Sequence, residues 1–139
     1  MMRTSNGVVR VVAVMALVGI LAACGSDSTT SVTSSLAGNY KLQDFKEAGQ
    51  DVMQAVQTGT ATLTATTYKV NIVFLAQAGI PAVIDSGTYT ATGSGSGSFS
   101  ETSLVTGAQS TGTYTVSNGL WTVNVTSQGV AIAQVWQKQ

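Results

Sequence analysis

The sequence predicts an all-β domain: about eight antiparallel strands in an up-and-down meander that closes as a barrel, with a two-sheet sandwich as the alternative. Three observations carry this. Apolar and polar residues alternate with a period of two through most of residues 37–139, Thr, Tyr and Val dominate the runs, and Gly, Ser or Asn clusters separate them. Closure is expected because a barrel leaves no edge strand to pair with other chains.

The first run, Gly38 to Phe45, places Tyr40 and Leu42 on one face. Lys46 to Gln57 breaks the alternation and reads as a short helical turn with Val52, Met53 and Val56 on one side. Thr60 to Ala65 alternates Thr with Ala61, Leu63 and Ala65, and Tyr68 to Phe74 aligns Tyr68, Val70, Ile72 and Phe74 against Lys69 and Asn71. Ala76 to Pro81 is a wide connection before Ile84 to Thr92, which carries Tyr89. The Gly-Ser tract at 93–98 is a hairpin tip leading to a weak strand around Phe99 to Ser103. Thr111 to Val116 should pair with Leu120 to Thr126 through Asn118-Gly119, since both residues of an Asn-Gly turn tolerate positive φ. In that second strand Trp121, Val123 and Val125 share a face, and a last run, Gly129 to Trp136, completes the count.

The first 36 residues follow a different logic. Arg3 and Arg10 form a basic start, an apolar run extends from Val8 to Val18, and Leu21-Ala22-Ala23 precedes Cys24, the only cysteine. A basic n-region, an apolar h-region and small residues at the cut are the parts of an export signal. Val8 to Ala23 is shorter than the about 20 residues that span a bilayer, and a polar Gly-Ser-Asp-Ser-Thr-Thr segment follows, so a transmembrane helix is disfavoured. The Leu-Ala-Ala-Cys sequence resembles the lipobox of bacterial lipoproteins. That resemblance implies a signal helix over 1–23 that is removed, acylation of Cys24 with palmitate-like chains as the first residue of the mature protein, and attachment to the membrane through those chains. Gly25 rather than Asp after the cysteine implies sorting to the outer membrane. Residues 24–36 then form a lipidated cysteine and a polar tether, and 37–139 the β domain.

Removing 1–23 leaves four lysines (41, 46, 69, 138) against six carboxylates (Asp27, Asp44, Glu47, Asp51, Asp85, Glu101), a formal side-chain charge of 4 − 6 = −2. No arginine remains and histidine is absent, so the basic face that nucleic acid requires is missing. With Cys24 committed to lipid, disulfide stabilisation and a thiol nucleophile are both absent, and no Ser-x-x-Lys pattern occurs. Asp85 and Glu101 fall on neighbouring predicted strands, where solvated surface charge is the commoner reading than paired-carboxylate catalysis. Asp44, Glu47 and Asp51 would share a helix face, but the Asp-x-Asp-x-Asp-Gly loop of a calcium site is missing, so an acidic surface is expected. Gly93 to Gly97 lacks the helix and lysine of a phosphate loop, and Asn124-Val125-Thr126 is an outward strand position despite matching a glycosylation sequon. The chain therefore reads as noncatalytic, with no cofactor and no metal.

Gly38-Asn39-Tyr40-Lys41-Leu42, Gly59-Thr60-Ala61-Thr62-Leu63, Ser86-Gly87-Thr88-Tyr89 and Thr111-Gly112-Thr113-Tyr114 together resemble a small bacterial lipocalin-like domain, the first standing where lipocalins open with Gly-x-Trp. The Gly-Thr-Tyr-Thr sequence at 87–90 recurs at 112–115, which suits strands restarting after a turn. The likeness implies a barrel that binds a small hydrophobic ligand. It departs from lipocalins in having Tyr40 instead of Trp, no arginine packing on the first strand and shorter strands. Tyr40, Tyr68, Tyr89, Tyr114, Trp121 and Trp136 are expected mainly as core; if the barrel encloses a cavity, they line it. The competing reading is a structural or interaction module of the envelope, its partner unspecified.

Overall fold

The computed structural model describes residues 36–139. Cys24 and the expected signal helix lie outside the described residues. Nine strands form one antiparallel sheet: β1 (Gly38–Glu47), β2 (Gln50–Asp51), β3 (Val56–Leu63), β4 (Thr67–Phe74), β5 (Val83–Ala91), β6 (Ser96–Ser103), β7 (Gln109–Ser117), β8 (Leu120–Ser127) and β9 (Val130–Lys138). Each long strand pairs with the next, and β9 returns to β1 over seven residue pairs, from Tyr40 opposite Lys138 to Glu47 opposite Ile132. That pairing closes an eight-stranded barrel and excludes the sandwich, whose two sheets would remain separate. β2 is an addition to the expected count. It extends the end of β1 through a turn at Ala48-Gly49 with φ of 49° and 77°.

The alternation read from the sequence is the alternation of the wall. Tyr40, Leu42, Ala61, Leu63, Tyr68, Ile72, Phe74, Tyr89, Phe99, Tyr114, Trp121, Val123, Val125 and Trp136 are buried inside, while Thr60, Thr62, Thr88, Thr90, Thr111, Thr113 and Asn124 face solvent. Outward threonines suit a single-walled barrel, because their β-branched stems fit the pleat while their hydroxyls remain wet. Asn118-Gly119 forms the expected two-residue turn, φ 52° and 76°, with Ser117 opposite Leu120. Parity breaks once in β1, where the register slips between Leu42 and Asp44, and this bulge turns Phe45 inward beside Leu42.

Three local expectations are corrected. Residues 44–51 are not helical: Asp44 and Glu47 belong to β1 and Asp51 to β2, so their spacing creates no shared helical face. Of the stretch from Lys46 to Gln57 only Met53–Ala55 makes a 3-10 turn, with Val52, Met53 and Val56 packed against the core. The Gly-Ser tract is only partly a tip, since Ser96–Ser98 already belong to β6. The repeated Gly-Thr-Tyr-Thr does not mark strand restarts either. Gly87 and Gly112 lie within β5 and β7, each two residues before an inward tyrosine. A Cβ at Gly87 would stand against the Thr102 carbonyl and the Tyr68 ring, and one at Gly112 against the Asn124 carbonyl. The repeat is an inward small–large alternation that lets two strands approach closely beside a bulky ring.

Replacing Gly112 with Ala should therefore destabilise the protein by about 1–3 kcal/mol, because its methyl group has no room. Thr113→Ala, on the outer face, should change stability by no more than about 0.5 kcal/mol. Thermal unfolding of both variants checks this, and equal melting temperatures would refute the packing role of Gly112.

Candidate binding site at the open end of the barrel

The meander places alternate loops at opposite ends of the barrel, and the two ends are chemically different. Residue 36, the 64–66 turn, the 92–95 turn, Asn118-Gly119 and the C-terminus share one end. Leu36 is fully buried there, and its carbonyl accepts a 2.8 Å hydrogen bond from the Tyr40 hydroxyl. Tyr89 donates to the Thr64 carbonyl at 2.6 Å and Tyr114 to the Gly93 carbonyl at 3.3 Å. Three inward tyrosines thus spend their polar ends on the loops that cap them. Below these bonds the rings form one cluster: Tyr40 on Trp121, Trp121 on Trp136 and Phe99, and Phe99 on Tyr89 and Tyr114, with centroids 5.5 to 6.4 Å apart. This end is closed and solidly packed.

The opposite end is bounded by the 48–55 connection, residues 75–82, the 104–108 loop and the Gln128-Gly129 turn. It opens into a cavity of about 410 Å³ lined by Tyr68, Asp85, Glu101, Ser103, Ser110 and Ile132, among others. A deeper chamber of about 90 Å³ shares Tyr68, Asp85, Glu101 and Ile132 and continues inward to Trp121, Val123, Val125 and Gln134. Five exposed apolar side chains stand on this end's loops and the first two residues of β5: Ile80, Val83, Ile84, Leu104 and Val105. Two grooves on the outside of the wall each hold one lysine and no carboxylate.

Asp85 and Glu101 are therefore not solvated surface charges. In β5, Asp85 has the parity of Gly87, Tyr89 and Ala91; in β6, Glu101 has that of Phe99 and Ser103, so both carboxylates point inward. Asp85 is fully engaged. Its Oδ2 accepts from the Tyr68 hydroxyl at 2.8 Å, and its Oδ1 accepts from the Ser103 hydroxyl at 2.6 Å and the Ser86 amide at 2.9 Å. Ser103 in turn accepts from the amides of Val105 and Thr106, so the carboxylate also fixes the 104–108 loop. Burial first, then the bond to Asp85 and the neighbouring negative charges, push the Tyr68 phenol far above its ordinary value and keep it a donor.

Glu101 is less well served. Opposite Tyr89 on β5 and Ser110 on β7, it has the Ser110 hydroxyl as a hydrogen-bond partner. Burial is the main cause that pushes its carboxyl up to about 7; the charge of Asp85 adds to it and Ser110 opposes it. Trp121, 4% exposed, forms a wall of the inner chamber, and its Nε1–H is buried without an acceptor among the described residues. Of the six aromatic residues expected as core or lining, all six are buried in the barrel, and Tyr68 and Trp121 border these connected cavities. Tyr89, Tyr114 and Trp136 belong to the packed end together with Tyr40.

Sequence reasoning weighed Asp85 and Glu101 as a pair and read them as surface charge, and it passed over Ser103, Ser110 and Gln134 as site residues. Parity would have placed Glu101, since Phe99 two residues earlier is the one large apolar residue of its strand. No local signal marks the two serines.

The raised carboxyl sets a direction for stability against pH. An ordinary glutamate titrates near 4.5, so between that pH and about 7 the folded protein holds a proton that the unfolded chain has released. Stability therefore falls as pH rises through this window, by at most about 3 kcal/mol. Glu101→Gln should raise the melting temperature at pH 8, and the gain should shrink at pH 5; thermal scans that show the same pH profile for both proteins would refute it. The chain matches no protein-family model, and no curated protein is significantly similar to it in sequence.

Proposed function

We propose that this chain is a lipid-anchored bacterial envelope protein whose barrel, resembling that of a lipocalin, binds a small hydrophobic ligand without catalysing a reaction on it. The observation that carries the binding reading is the asymmetry of the interior. One end is filled by interlocked rings, whereas the other keeps a connected cavity with apolar walls and a few convergent polar groups, the usual constitution of a small-molecule site. The apolar rim at the same end supports entry of a hydrophobic molecule. Binding is favoured over chemistry because Asp85, the better-placed carboxylate, already has partners at both oxygens and supports a loop.

The anchor reading rests on the lipobox-like Leu21-Ala22-Ala23-Cys24. Two or more acyl chains on Cys24 hold a protein stably on a membrane, at about 0.8 kcal/mol for each buried CH₂. The chain enters the barrel through Leu36 at the closed end, so an anchor at Cys24 attaches the barrel at the end opposite its open mouth. A ligand then reaches the cavity without passing the point of attachment.

Expression in a bacterial host tests both parts. The wild-type chain should fractionate with the outer membrane and show by mass spectrometry a mass of residues 24–139 plus acyl chains, whereas Cys24→Ala should remain an unprocessed, unacylated precursor. Native mass spectrometry of the membrane-extracted wild type should detect a bound small molecule. An unmodified wild-type chain would overturn the anchor; a barrel that is always empty and takes up no hydrophobic dye would overturn the ligand.

A further inference from the structure

The interior carries a charge that the described residues do not balance. Asp85 and Glu101 face the cavity from β5 and β6, while all four lysines are exposed and none lines that cavity: 41, 46 and 69 stand on the outer wall and 138 at the rim of the closed end. The described residues contain no arginine or histidine. Around the carboxylates, β4 supplies the Tyr68 hydroxyl, β5 Tyr89, β7 Ser110, β8 the Trp121 indole and aliphatic side chains, and β9 Gln134 and Ile132. None of these is a cation. A buried carboxylate without a counter-charge is costly, and a ligand that brings a positive charge recovers that cost.

The inner chamber adds an apolar wall beyond the carboxylates as seen from the mouth, made by the Trp121 indole with Val123, Val125 and Ile132. A molecule that fits both features carries an ammonium at one end and an apolar stretch at the other.

We propose that the open end of the barrel binds a small primary alkylamine, with its ammonium at Glu101 and Asp85 and its apolar chain against Trp121, Val123 and Ile132. This rests on the reading of the barrel as a small-ligand carrier and names the class of ligand. Glu101 gives the primary charge contact, because Asp85 already serves Tyr68, Ser103 and Ser86. Binding requires Glu101 ionised, so amine affinity should rise from pH 5 to pH 8; Tyr68 and Tyr89 both stay neutral across that range.

The test titrates the membrane-extracted wild-type protein in phosphatidylcholine vesicles with pentylamine, pentanol and pentanoate. Tryptophan fluorescence is the readout, with protein-free vesicles subtracted. Pentylamine should bind at least about tenfold more tightly than pentanol, and pentanoate more weakly than either. Glu101→Gln should remove the pentylamine advantage over pentanol, and its thermal scan verifies folding. Wild-type binding of pentanol and pentylamine with equal affinity, at pH 5 and pH 8 alike, would overturn the amine assignment while leaving the carrier reading intact. Failure of all three compounds together with an empty native mass spectrum would overturn both.

Discussion

The ladder between β1 and β9 is the constraint on which the rest of this structure depends. Seven residue pairs convert a meander of hairpins into a closed wall, and closure makes every inward side chain a neighbour of inward side chains from all around the ring. No disulfide assists it within the described residues, which contain no cysteine. The wall is held by its hydrogen bonds, and the contents must then match the volume it encloses.

The chain meets that requirement differently at the two ends. At the closed end, two tryptophans, three tyrosines and Phe99 fill the space, and the tyrosine hydroxyls reach the capping loops. Large rings are affordable there because inward glycines stand beside them, with Gly87 and Gly112 each two residues from a tyrosine. At the open end, aromatic bulk gives way to carboxylates, serines and short aliphatic chains, and space remains. A buried polar group is tolerable only when hydrogen-bonded. Asp85 satisfies this fully and Glu101 in part, while the covered Trp121 N–H has no acceptor among the described residues. The difference between the two carboxylates separates a structural group from one that faces the cavity less fully paired.

Asp85 also shows how a site residue can shape the fold. Through Ser103 it fixes the start of the 104–108 loop, and the Leu104 amide bonds the Ser86 carbonyl, so the loop is tied to β5. The tie leaves Leu104 and Val105 exposed at the mouth. Charge inside and apolar surface at the rim are thus two consequences of one hydrogen-bonded corner.

The eight long strands, their order and the facing of most large side chains were legible in the sequence, because period-two alternation is a local property that survives whatever the strand pairs with. Tyr68, Val70, Ile72 and Phe74, or Trp121, Val123 and Val125, could be assigned to the interior without knowing their neighbours. The Asn118-Gly119 hairpin was equally local, as was the lipobox-like approach to Cys24. Tertiary structure alone decided what depends on closure. It selected the barrel over the sandwich, required a bulge after Leu42 to bring Phe45 inside, and used the repeated glycines for close approach. Above all it gathered Asp85, Glu101, Ser103, Ser110 and Trp121, from four strands, around one cavity. Parity says that a carboxylate faces inward, but only the closed ring determines which groups it meets there and which remain without a partner.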